Sequence, residues 1–458
     1  MKSSRRQVRR KAHALPTLKF ENQSLTSFSG LVVLQRFFAI VRLKLRLAGC
    51  FAHQAAGKVF PRPTLFLQLV LHLLLGYREL RESRYYRDDP LVKRLLGLRQ
   101  LPDVATLSRM LKEADSKSIA NLRQLLRELL FQRLKQLALP RITLDFDGSV
   151  QSTTRHAEGT AVGFNKKKKG ARSYYPLFCT VAQTGQVLDF LHRSGNVHDS
   201  QGAQEFILAC VGAVREALPG VIIEVRMDSA FFSDEIVMAL EEAKIEFTVS
   251  VPFERFVALK KKIESRKRWT RLNGTMSYFE ESWKPNAWKR QFRFLFIRTC
   301  AKRQHKGPIQ LDLFLPYEYG YDFKVVVTNK TLQPTKVVTF HEGRGSQEGI
   351  FGELKTDCQM GYIPVKKCLG NQMYLLAGLF AHNLLREFQM MTSASTRRTT
   401  EKRAPLWAFE ELHTFRAGLL QRAGRLTRPN GKLTLTISAS LWIKNRIVDV
   451  LKRLQNAA

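Results

Sequence analysis

An acidic residue lies between basic residues in the segment from His341 to Lys355. Wound as a helix, this segment places Arg344, Glu348 and Lys355 within about 40° of one another around the axis, with His341 about 20° further round. A face of this kind can hold a metal ion on the carboxylate and a phosphate on the bases. A solvated helix face with paired charges gives the same pattern, so the segment alone leaves both interpretations open.

Two aspartate segments upstream favour the metal interpretation. The run 141–149 alternates polar and apolar residues, so as a strand it sends Asp145 and Asp147 to the same side. A second β-rich run, 221–228, closes on Asp228 just before a predicted helix, which is a common position for sites in α/β sheets. Each aspartate taken singly could be a helix cap or a turn residue. Three acids in the order Asp, Asp, Glu are harder to explain in that way.

At these residues the sequence resembles the DDE transposases of bacterial insertion sequences. Their cut-and-paste branch carries a signature of Tyr, two residues, Arg, three residues, Glu, six residues and Lys, and Arg344, Glu348 and Lys355 match its last three positions. His341 stands at the Tyr position, where an imidazole can also donate a hydrogen bond. The resemblance runs from about residue 25 to the last helix. Further similarity lies in Gly76–Ser83, Ala105–Arg109, Tyr174–Phe178, Gly195–His198 and Asn371–Leu385.

The resemblance implies three catalytic acids, Asp147, Asp228 and Glu348. Asp147 is preferred to Asp145 as the first acid because the family typically has Thr or Ser two positions later, where this chain has Ser149. Asp145 points the same way and is expected as a supporting metal ligand, so which of the two is the primary ligand stays open. The implied cofactor is a pair of Mg²⁺ ions, for which Mn²⁺ can substitute, held by these carboxylates during phosphodiester cleavage.

Basic and aromatic residues are predicted to contact DNA. By the resemblance, His341, Arg344 and Lys355 hold phosphates near the scissile bond. Four consecutive lysines before the second strand repel one another unless an anion is near, although a solvated loop explains them equally well. Tryptophans among the bases after residue 253 suit stacking on an unpaired base, although core packing is the commoner fate of a single tryptophan. These further candidates are Lys166, Lys167, Lys168, Lys169, Trp283 and Trp288.

The charge balance indicates a polyanionic partner. The chain of 458 residues has 75 Lys and Arg against 39 Asp and Glu, a formal net charge of +36 that gives salt-dependent attraction to phosphate backbones. Its 44% hydrophobic content excludes a mostly disordered protein. The six cysteines show no paired spacing, which argues against a zinc site or a disulfide framework and fits a reducing compartment.

Together with the resemblance, these features predict the partners and the location. The partner is double-stranded DNA, namely the terminal inverted repeats of a mobile element and the target DNA. A homodimer is expected in the synaptic complex because two element ends must be brought together. No membrane association is expected, since the longest apolar run is too short and too polar to span a bilayer. The predicted location is the bacterial cytoplasm, in association with the nucleoid.

The predicted fold class is α/β, with a ribonuclease H-like mixed sheet and a β-rich insertion, plus an N-terminal helical domain and a mostly helical C-terminal region. Apolar residues at three- and four-residue spacing predict helices up to about residue 138, and a mixed pattern of strands and helices follows. The expected units are a basic arm at 1–24, a helical DNA-binding domain at 25–139, a catalytic domain at 140–252 and 339–390, the insertion at 253–338 and the C-terminal region at 391–458.

Four local features are predicted outside the catalytic sheet. One continuous helix is expected from Leu25 to Leu47, and a polar, basic linker from Thr392 to Pro405. A helix is expected from Trp407 to Ala423, followed by a hairpin turn at Pro429–Gly431.

The predicted function is that of a DNA transposase that cleaves at insertion-sequence ends and joins the freed 3′ hydroxyls to target DNA. One alternative is a catalytically inactive, transposase-derived DNA-binding protein, which would bind DNA without nicking it in Mg²⁺ or Mn²⁺. The other is a ribonuclease H-like nuclease without strand transfer, which would give cleavage products but no joined products.

Overall fold

Helices form most of the chain before residue 138. The computed structural model describes residues 15–55, 57, 59–154, 156–163, 165, 168–198, 200–300, 320–438 and 440–456. The helix expected from Leu25 to Leu47 is instead a short strand followed by two helices, because Arg42 adopts a left-handed conformation (φ 50°) between them. The elements are β1 (Leu25–Thr26), α1 (Leu31–Ile40), α2 (Leu43–Cys50), α3 (Arg62–Leu74), α4 (Pro90–Leu96), α5 (Val104–Lys112) and α6 (Ser116–Leu137).

Aspartates begin the last three of these helices. The side chains of Asp89, Asp103 and Asp115 each accept a hydrogen bond from backbone N–H groups of the first turn of α4, α5 and α6. Those N–H groups have no partner within the helix, so the caps fix where each helix starts.

Alternating strands and helices follow α6. They are β2 (Arg141–Gly148), β3 (Gln151–Thr153), β4 (Ala161–Val162), β5 (Arg172–Tyr174), β6 (Leu177–Val181), β7 (Gln186–Leu191), α7 (Ala203–Ala217), β8 (Ile222–Met227), α8 (Asp234–Glu242) and β9 (Glu246–Val251). Five of these strands stand in the order β7, β6, β2, β8, β9 in the central sheet. Strands β2, β8 and β9 are parallel, whereas β6 is antiparallel to both β2 and β7. This arrangement confirms the predicted ribonuclease H-like mixed sheet.

The insertion is β-rich, as predicted, and it extends the same sheet. Its last strand pairs antiparallel with β9, so the central sheet has nine strands among the described residues. Residues 301–319 of the insertion lie outside the described part of the chain. The elements are α9 (Val257–Ser265), β10 (Thr270–Arg271), β11 (Met276–Trp283), β12 (Phe292–Cys300) and β13 (Tyr321–Thr328).

The segment after the insertion returns to helices and ends in a hairpin and a final helix. The helix predicted from Trp407 to Ala423 is a single α-turn followed by a π-turn, whereas the hairpin around Pro429–Gly431 is present. The elements are α10 (Pro334–Glu342), α11 (Ser346–Thr356), α12 (Cys368–Thr392), α13 (Leu412–Phe415), β14 (Gly424–Thr427), β15 (Thr434–Ile437) and α14 (Leu441–Asn456).

Helix α12 connects the helical region to the sheet. Its apolar residues are almost all buried, and they belong to one hydrophobic core that also contains residues of α1 to α6, of β7 and of α14. Strand β1 pairs with β14, so the two ends of the described chain also meet. The N-terminal helices therefore share their core with elements after residue 350, and the predicted domain boundaries stay a prediction.

A non-helical segment, residues 393–411, crosses one face of the sheet, and we call it the strap. The sequence predicts a polar, basic linker here. In the structure this segment is instead held against the sheet, because the backbone N–H of Leu406 donates to the carbonyl of Gln183 at 2.8 Å. Arg403 in the strap is 7% exposed and pairs with Glu224 on β8. The strap is therefore packed against the strands that end in the candidate catalytic acids.

Candidate active site

Two of the predicted catalytic acids lie side by side at one end of the sheet. Strands β2 and β8 are parallel, and their register pairs Phe146 with Met227. The next residues along the two strands are Asp147 and Asp228, so their carboxylates emerge from neighbouring strands, which lie about 4.8 Å apart in a sheet. Asp147 Oδ1 accepts a hydrogen bond from the backbone N–H of Gly148 at 2.7 Å.

Asp228 also caps a short 3₁₀ turn, Ser229–Phe231. Its Oδ1 accepts a hydrogen bond from the backbone N–H of Ala230 at 2.9 Å. The interpretation of Asp228 as a helix cap, which the sequence left open, is therefore correct for one of its carboxylate oxygens. This hydrogen bond holds the side chain in a fixed direction. Capping is compatible with metal binding because a carboxylate has about four lone-pair sites.

The third acid is linked to the first through Arg344. Arg344 lies in the 3₁₀ turn Gly343–Gly345, and Glu348 lies in the first turn of α11. The guanidinium nitrogens of Arg344 are 3.6 Å from Asp147 Oδ2 and 4.0 Å from Glu348 Oε1. The side chain of Glu348 is 72% exposed. Ion pairs this long between partly exposed groups contribute little to stability. The carboxylates can therefore release Arg344 and bind a metal ion instead.

His341 lies away from this face. The 3₁₀ turn Gly343–Gly345 separates α10 from α11 and turns about 120° per residue instead of 100°, so the phase of one continuous helix is lost. His341 is 2% exposed, and its ring nitrogens bond Thr248 Oγ1 at 2.9 Å and Ser250 Oγ at 2.8 Å. These contacts to β9 replace the predicted phosphate contact. Burial holds the pKa of His341 well below its usual value.

Asp145 pairs with Arg226 instead of serving as the predicted metal ligand. The two residues are directly opposite in the register of β2 and β8. Arg226 Nε is 2.6 Å from Asp145 Oδ1 and Arg226 Nη2 is 2.8 Å from Asp145 Oδ2, and both side chains are almost completely buried. Both carboxylate oxygens are thus engaged by one guanidinium. Burial raises the pKa of Asp145, while the charge of Arg226 opposes that rise.

A second charged group, which we call the Glu224 cluster, lies two residues earlier on the same strands. Glu224 is directly opposite Thr143 in the register and is fully buried. Its carboxylate accepts hydrogen bonds from Lys330 at 2.7 Å and from Arg403 at 2.9 Å. Burial alone would raise the pKa of Glu224, but the hydrogen bond from Arg403 and the charge of Lys330 lower it to about 2.

A cleft of about 900 Å³ opens beside the acids. Ser149, two residues after Asp147, lines the wall of this cleft. Its hydroxyl is buried with no hydrogen-bond partner among the described residues. Three cationic side chains and no carboxylate are found among the described residues that line the cleft, which makes it suitable for a phosphate backbone. The polar lining residues are Ser149, Ser152, Asn165, Lys168, Tyr175, His198, Ser229, Arg255 and Lys355.

The predicted lysines divide into described and undescribed residues. Lys355, on α11, and Lys168 line the cleft. Lys169 is exposed next to Lys168. Lys166 and Lys167 lie outside the described residues.

The two candidate tryptophans pack against other aromatic residues. Trp288 is 6% exposed and stacks on Phe232 with 4.8 Å between ring centroids. Trp283 is half-buried and makes an edge contact with Phe294 at 5.0 Å. The predicted base-stacking role is therefore replaced, most clearly for Trp288, by packing in the hydrophobic core that the insertion shares with the rest of the sheet.

The donor chemistry at this end of the sheet fits a hard divalent cation. Asp147, Asp228 and Glu348 offer carboxylate oxygens, which Mg²⁺ prefers over nitrogen or sulfur. Among the described residues, no group of three or more His, Cys, Asp or Glu side chains is already gathered as a metal site. The guanidinium of Arg344 is the cation that lies between Asp147 and Glu348.

Sequence reasoning missed Arg226 and most of the residues that line the cleft, although it named Lys168 and Lys355. A signal for Arg226 was present, because an arginine inside the apolar run Ile222–Met227 must be paired if that strand is buried. Arg255, Tyr175 and Ser152 come from separate loops and strands, and only the folded chain brings them together.

Comparison with known proteins identifies one family. The family model described as "Transposase DDE domain group 1" matches residues 10–458. A search of curated proteins found no match. Among the described residues, no helix is both long and apolar enough to cross a membrane.

Several solved transposase structures are similar at low identity. A piggyBac transposase synaptic complex with hairpin DNA has a TM-score of 0.43 and 12% identity, with 94% of this chain and 85% of that chain covered. A Drosophila P element transposase strand transfer complex has a TM-score of 0.24 and 10% identity, with 73% and 81% covered. The Mos1 transposase paired-end complex with the left transposon end has a TM-score of 0.18 and 12% identity, with 42% and 60% covered. TM-scores below 0.5 do not establish a shared activity.

Proposed function

Because the chain belongs to the family of transposase DDE domain group 1, we propose that it is a DNA transposase that cleaves at insertion-sequence ends and joins the freed 3′ ends to target DNA. The enzyme requires two divalent cations, Mg²⁺ with Mn²⁺ as a substitute, and acts on DNA of the bacterial nucleoid in the cytoplasm. Asp147, Asp228 and Glu348 are its catalytic acids.

One observation carries this proposal. Asp147 and Asp228 are neighbours at the ends of two parallel strands, and Arg344 links Asp147 to Glu348. Three acids that are far apart in sequence thus come to one end of the sheet, beside a basic cleft. A solvated helix face, the alternative for the segment around Glu348, does not account for two strand-end aspartates at the same place.

The carboxylates of Asp147, Asp228 and Glu348 would hold the metal ions. Bound divalent cations supply the activation of the attacking water and the stabilisation of the leaving oxygen. Asp228 is held in direction by its cap, and Asp147 by its hydrogen bond from the following backbone N–H. Glu348 is exposed on the first turn of α11 and can move to complete the set.

The bases beside the acids position the DNA backbone. Arg344 would turn from the carboxylates to a phosphate once those carboxylates hold metal ions. A guanidinium suits this contact because it binds a phosphate through two parallel hydrogen bonds. Lys355, Lys168 and Arg255 face the cleft and attract the strand that flanks the scissile bond. The Ser149 hydroxyl, buried in the wall of the same cleft without a hydrogen-bond partner among the described residues, is a further donor available at this site.

The partners in the proposal are the element ends and the target DNA. Two protomers are required because two ends must be held together for joining. The overall charge of +36 supplies attraction to both DNA partners, and this attraction falls as salt is added.

The test is single-turnover cleavage of an element end by the Glu348→Gln variant. We expect cleavage in Mg²⁺ to fall at least about 1,000-fold, equivalent to about 4 kcal/mol of barrier, while end binding stays within about threefold. Glu342→Gln is the matched control, because Glu342 is an exposed glutamate of the same segment at the end of α10. Undiminished cleavage by Glu348→Gln would refute the assignment. End binding by the wild type without any nicking would identify the inactive descendant.

A further inference from the structure

One guanidinium connects the chain segments that supply the catalytic acids. Arg226 is fully buried in β8 and donates to both carboxylate oxygens of Asp145 on β2. Its Nη1 donates to the backbone carbonyl of Phe340 at 2.9 Å and to that of Lys402 at 2.8 Å. Phe340 lies in α10, just before the 3₁₀ turn, and Lys402 lies in the strap. Four hydrogen bonds therefore use four of the five N–H groups of the side chain.

The pair lies directly beneath the candidate acids. Asp147 is two residues after Asp145, and Asp228 is two residues after Arg226, so each acid follows its partner on the same face of the sheet. A shift of the Asp145–Arg226 pair would therefore move both strand ends, and with them both carboxylates.

The third acid is tied to the same point. Gln347 is fully buried, and its Nε2 donates to the backbone carbonyl of Asp145 at 3.0 Å. Glu348 is the next residue in the chain. Arg226 also packs closely against Gly343, where a Cβ atom would lie 2.0 Å from Arg226 Nη1 and 1.9 Å from the carbonyl oxygen of Lys402. Gly343 thus allows the turn that carries Arg344 to approach the guanidinium.

We propose that Arg226, with Asp145, is the positioning pair that sets the spacing of Asp147, Asp228 and Glu348 for metal binding. Arg226 touches no substrate in this role. It acts by joining β2, β8, the turn before α11 and the strap at one buried point. This inference rests on the proposed function for its meaning in catalysis, but the geometry that it concerns can be tested by metal binding alone.

Lysine cannot replace arginine at this point. A lysine ammonium is a compact charge with three donors, whereas the planar guanidinium reaches a carboxylate on one side and two carbonyls on another. Arg226→Lys keeps the charge and loses this geometry. Asp145→Asn is a second variant that keeps the shape of the side chain, and it serves if Arg226→Lys does not fold.

The matched control is Arg123→Lys. Arg123 on α6 makes the same bidentate contact with Asp189 on β7, at 2.8 Å for both hydrogen bonds. Strand β7 is an edge strand of the sheet, and β6 and β2 separate it from β8. The substitution and the bidentate contact are the same, but the Arg123 side chain is 32% exposed, whereas Arg226 is fully buried and also donates to two backbone carbonyls.

The experiment measures Mn²⁺ binding by calorimetry, thermal unfolding and single-turnover cleavage on the full chain. For Arg226→Lys and Asp145→Asn we expect Mn²⁺ affinity to fall about tenfold and cleavage to fall about 100-fold, the effect of a displacement of about 1 Å. End binding stays within about threefold. For Arg123→Lys we expect a smaller fall in melting temperature, because that pair is partly exposed, with Mn²⁺ affinity and cleavage unchanged.

A fall in Mn²⁺ affinity in Arg123→Lys as large as that in Arg226→Lys would show that the Asp145–Arg226 pair is only structural and would overturn the proposal. Wild-type Mn²⁺ affinity in Arg226→Lys would overturn it as well. A wild-type protein that binds Mn²⁺ at these acids but never cleaves DNA would refute the proposed function and leave the positioning role measurable.

Discussion

The same face of the sheet carries two charged groups with opposite character. The Glu224 cluster is buried, and its ion pairs from Lys330 and Arg403 measure 2.7 and 2.9 Å. Four strand positions further on, the ion pairs of Arg344 with Asp147 and Glu348 measure 3.6 and 4.0 Å at partly or largely exposed side chains.

The difference separates a structural charge cluster from a reactive one. Removal of one partner from a buried ion pair leaves a charge without solvation, which typically costs several kcal/mol. A long, exposed ion pair can be exchanged for a metal ion or a phosphate at little cost. The Asp145–Arg226 pair lies between the two groups in the register and joins them.

The largest expected effect on stability is at Glu224. The pKa of Glu224 is about 2 in the folded chain and about 4.5 without its partners. The paired carboxylate therefore stabilises the fold by about 3 kcal/mol at neutral pH. A depressed pKa gives stability that is complete above the unfolded value and is lost as pH falls from about 4.5 towards 2. We expect Glu224→Gln to lower the free energy of unfolding by about this amount at neutral pH. The variant should also lose less stability than the wild type as the pH falls from about 4.5 towards 2.

Chemical denaturation between pH 2 and 7 measures both effects. Glu280→Gln is the control, because Glu280 makes an exposed ion pair with Arg293, and its loss should cost less than about 1 kcal/mol. If Glu280→Gln destabilised the protein as much as Glu224→Gln, the distinction between buried and exposed charge would fail.

A smaller effect, on rate alone, is expected at Lys355. Lys355 is exposed on α11 and lines the cleft, so Lys355→Gln should leave the melting temperature within about 2 °C. Loss of one phosphate contact near the scissile bond should lower single-turnover cleavage about tenfold, which corresponds to about 1.4 kcal/mol. Lys366→Gln, at an exposed lysine that does not line the cleft, should cleave like the wild type. Equal effects of the two variants would contradict the cleft as the path of the DNA.

The smallest effect is expected at Lys169. This lysine is exposed beside the cleft residue Lys168, and Lys169→Gln should weaken DNA binding about equally for all sequences. The slope of log affinity against log salt should fall by about 1. Lys135→Gln on α6 is the control at an exposed lysine outside the cleft. An unchanged salt slope in Lys169→Gln would remove Lys169 from the interface.

The sequence predicts the strand-end acids because local patterns decide their positions. Alternation places Asp147 at the end of β2, and a β-rich run places Asp228 at the end of β8. The spacing from Arg344 to Lys355 identifies Glu348. The succession of strands and helices along the chain and the β-rich insertion follow from the same patterns.

Other features depend on contacts between distant parts of the chain, and sequence patterns do not contain them. Alternation sends Asp145 to the same face as Asp147 but cannot reveal that Arg226 is its cross-strand partner. The helical projection that groups His341 with Glu348 assumes one continuous helix. The 3₁₀ turn Gly343–Gly345 changes the angular position of His341 relative to Glu348. Trp288 is buried because it packs both on Phe232, which precedes the insertion, and on Phe292 within it.

The central claim is that Asp228 binds the metal, and the most direct test is the metal requirement of Asp228→Cys. Mg²⁺ takes oxygen ligands, whereas Mn²⁺ tolerates sulfur better. Single-turnover cleavage by this variant should be lost in Mg²⁺ and partly restored in Mn²⁺, while Asp322→Cys, at an exposed aspartate of β13, should cleave in both. Cleavage by Asp228→Cys at the wild-type rate in Mg²⁺ would contradict the account.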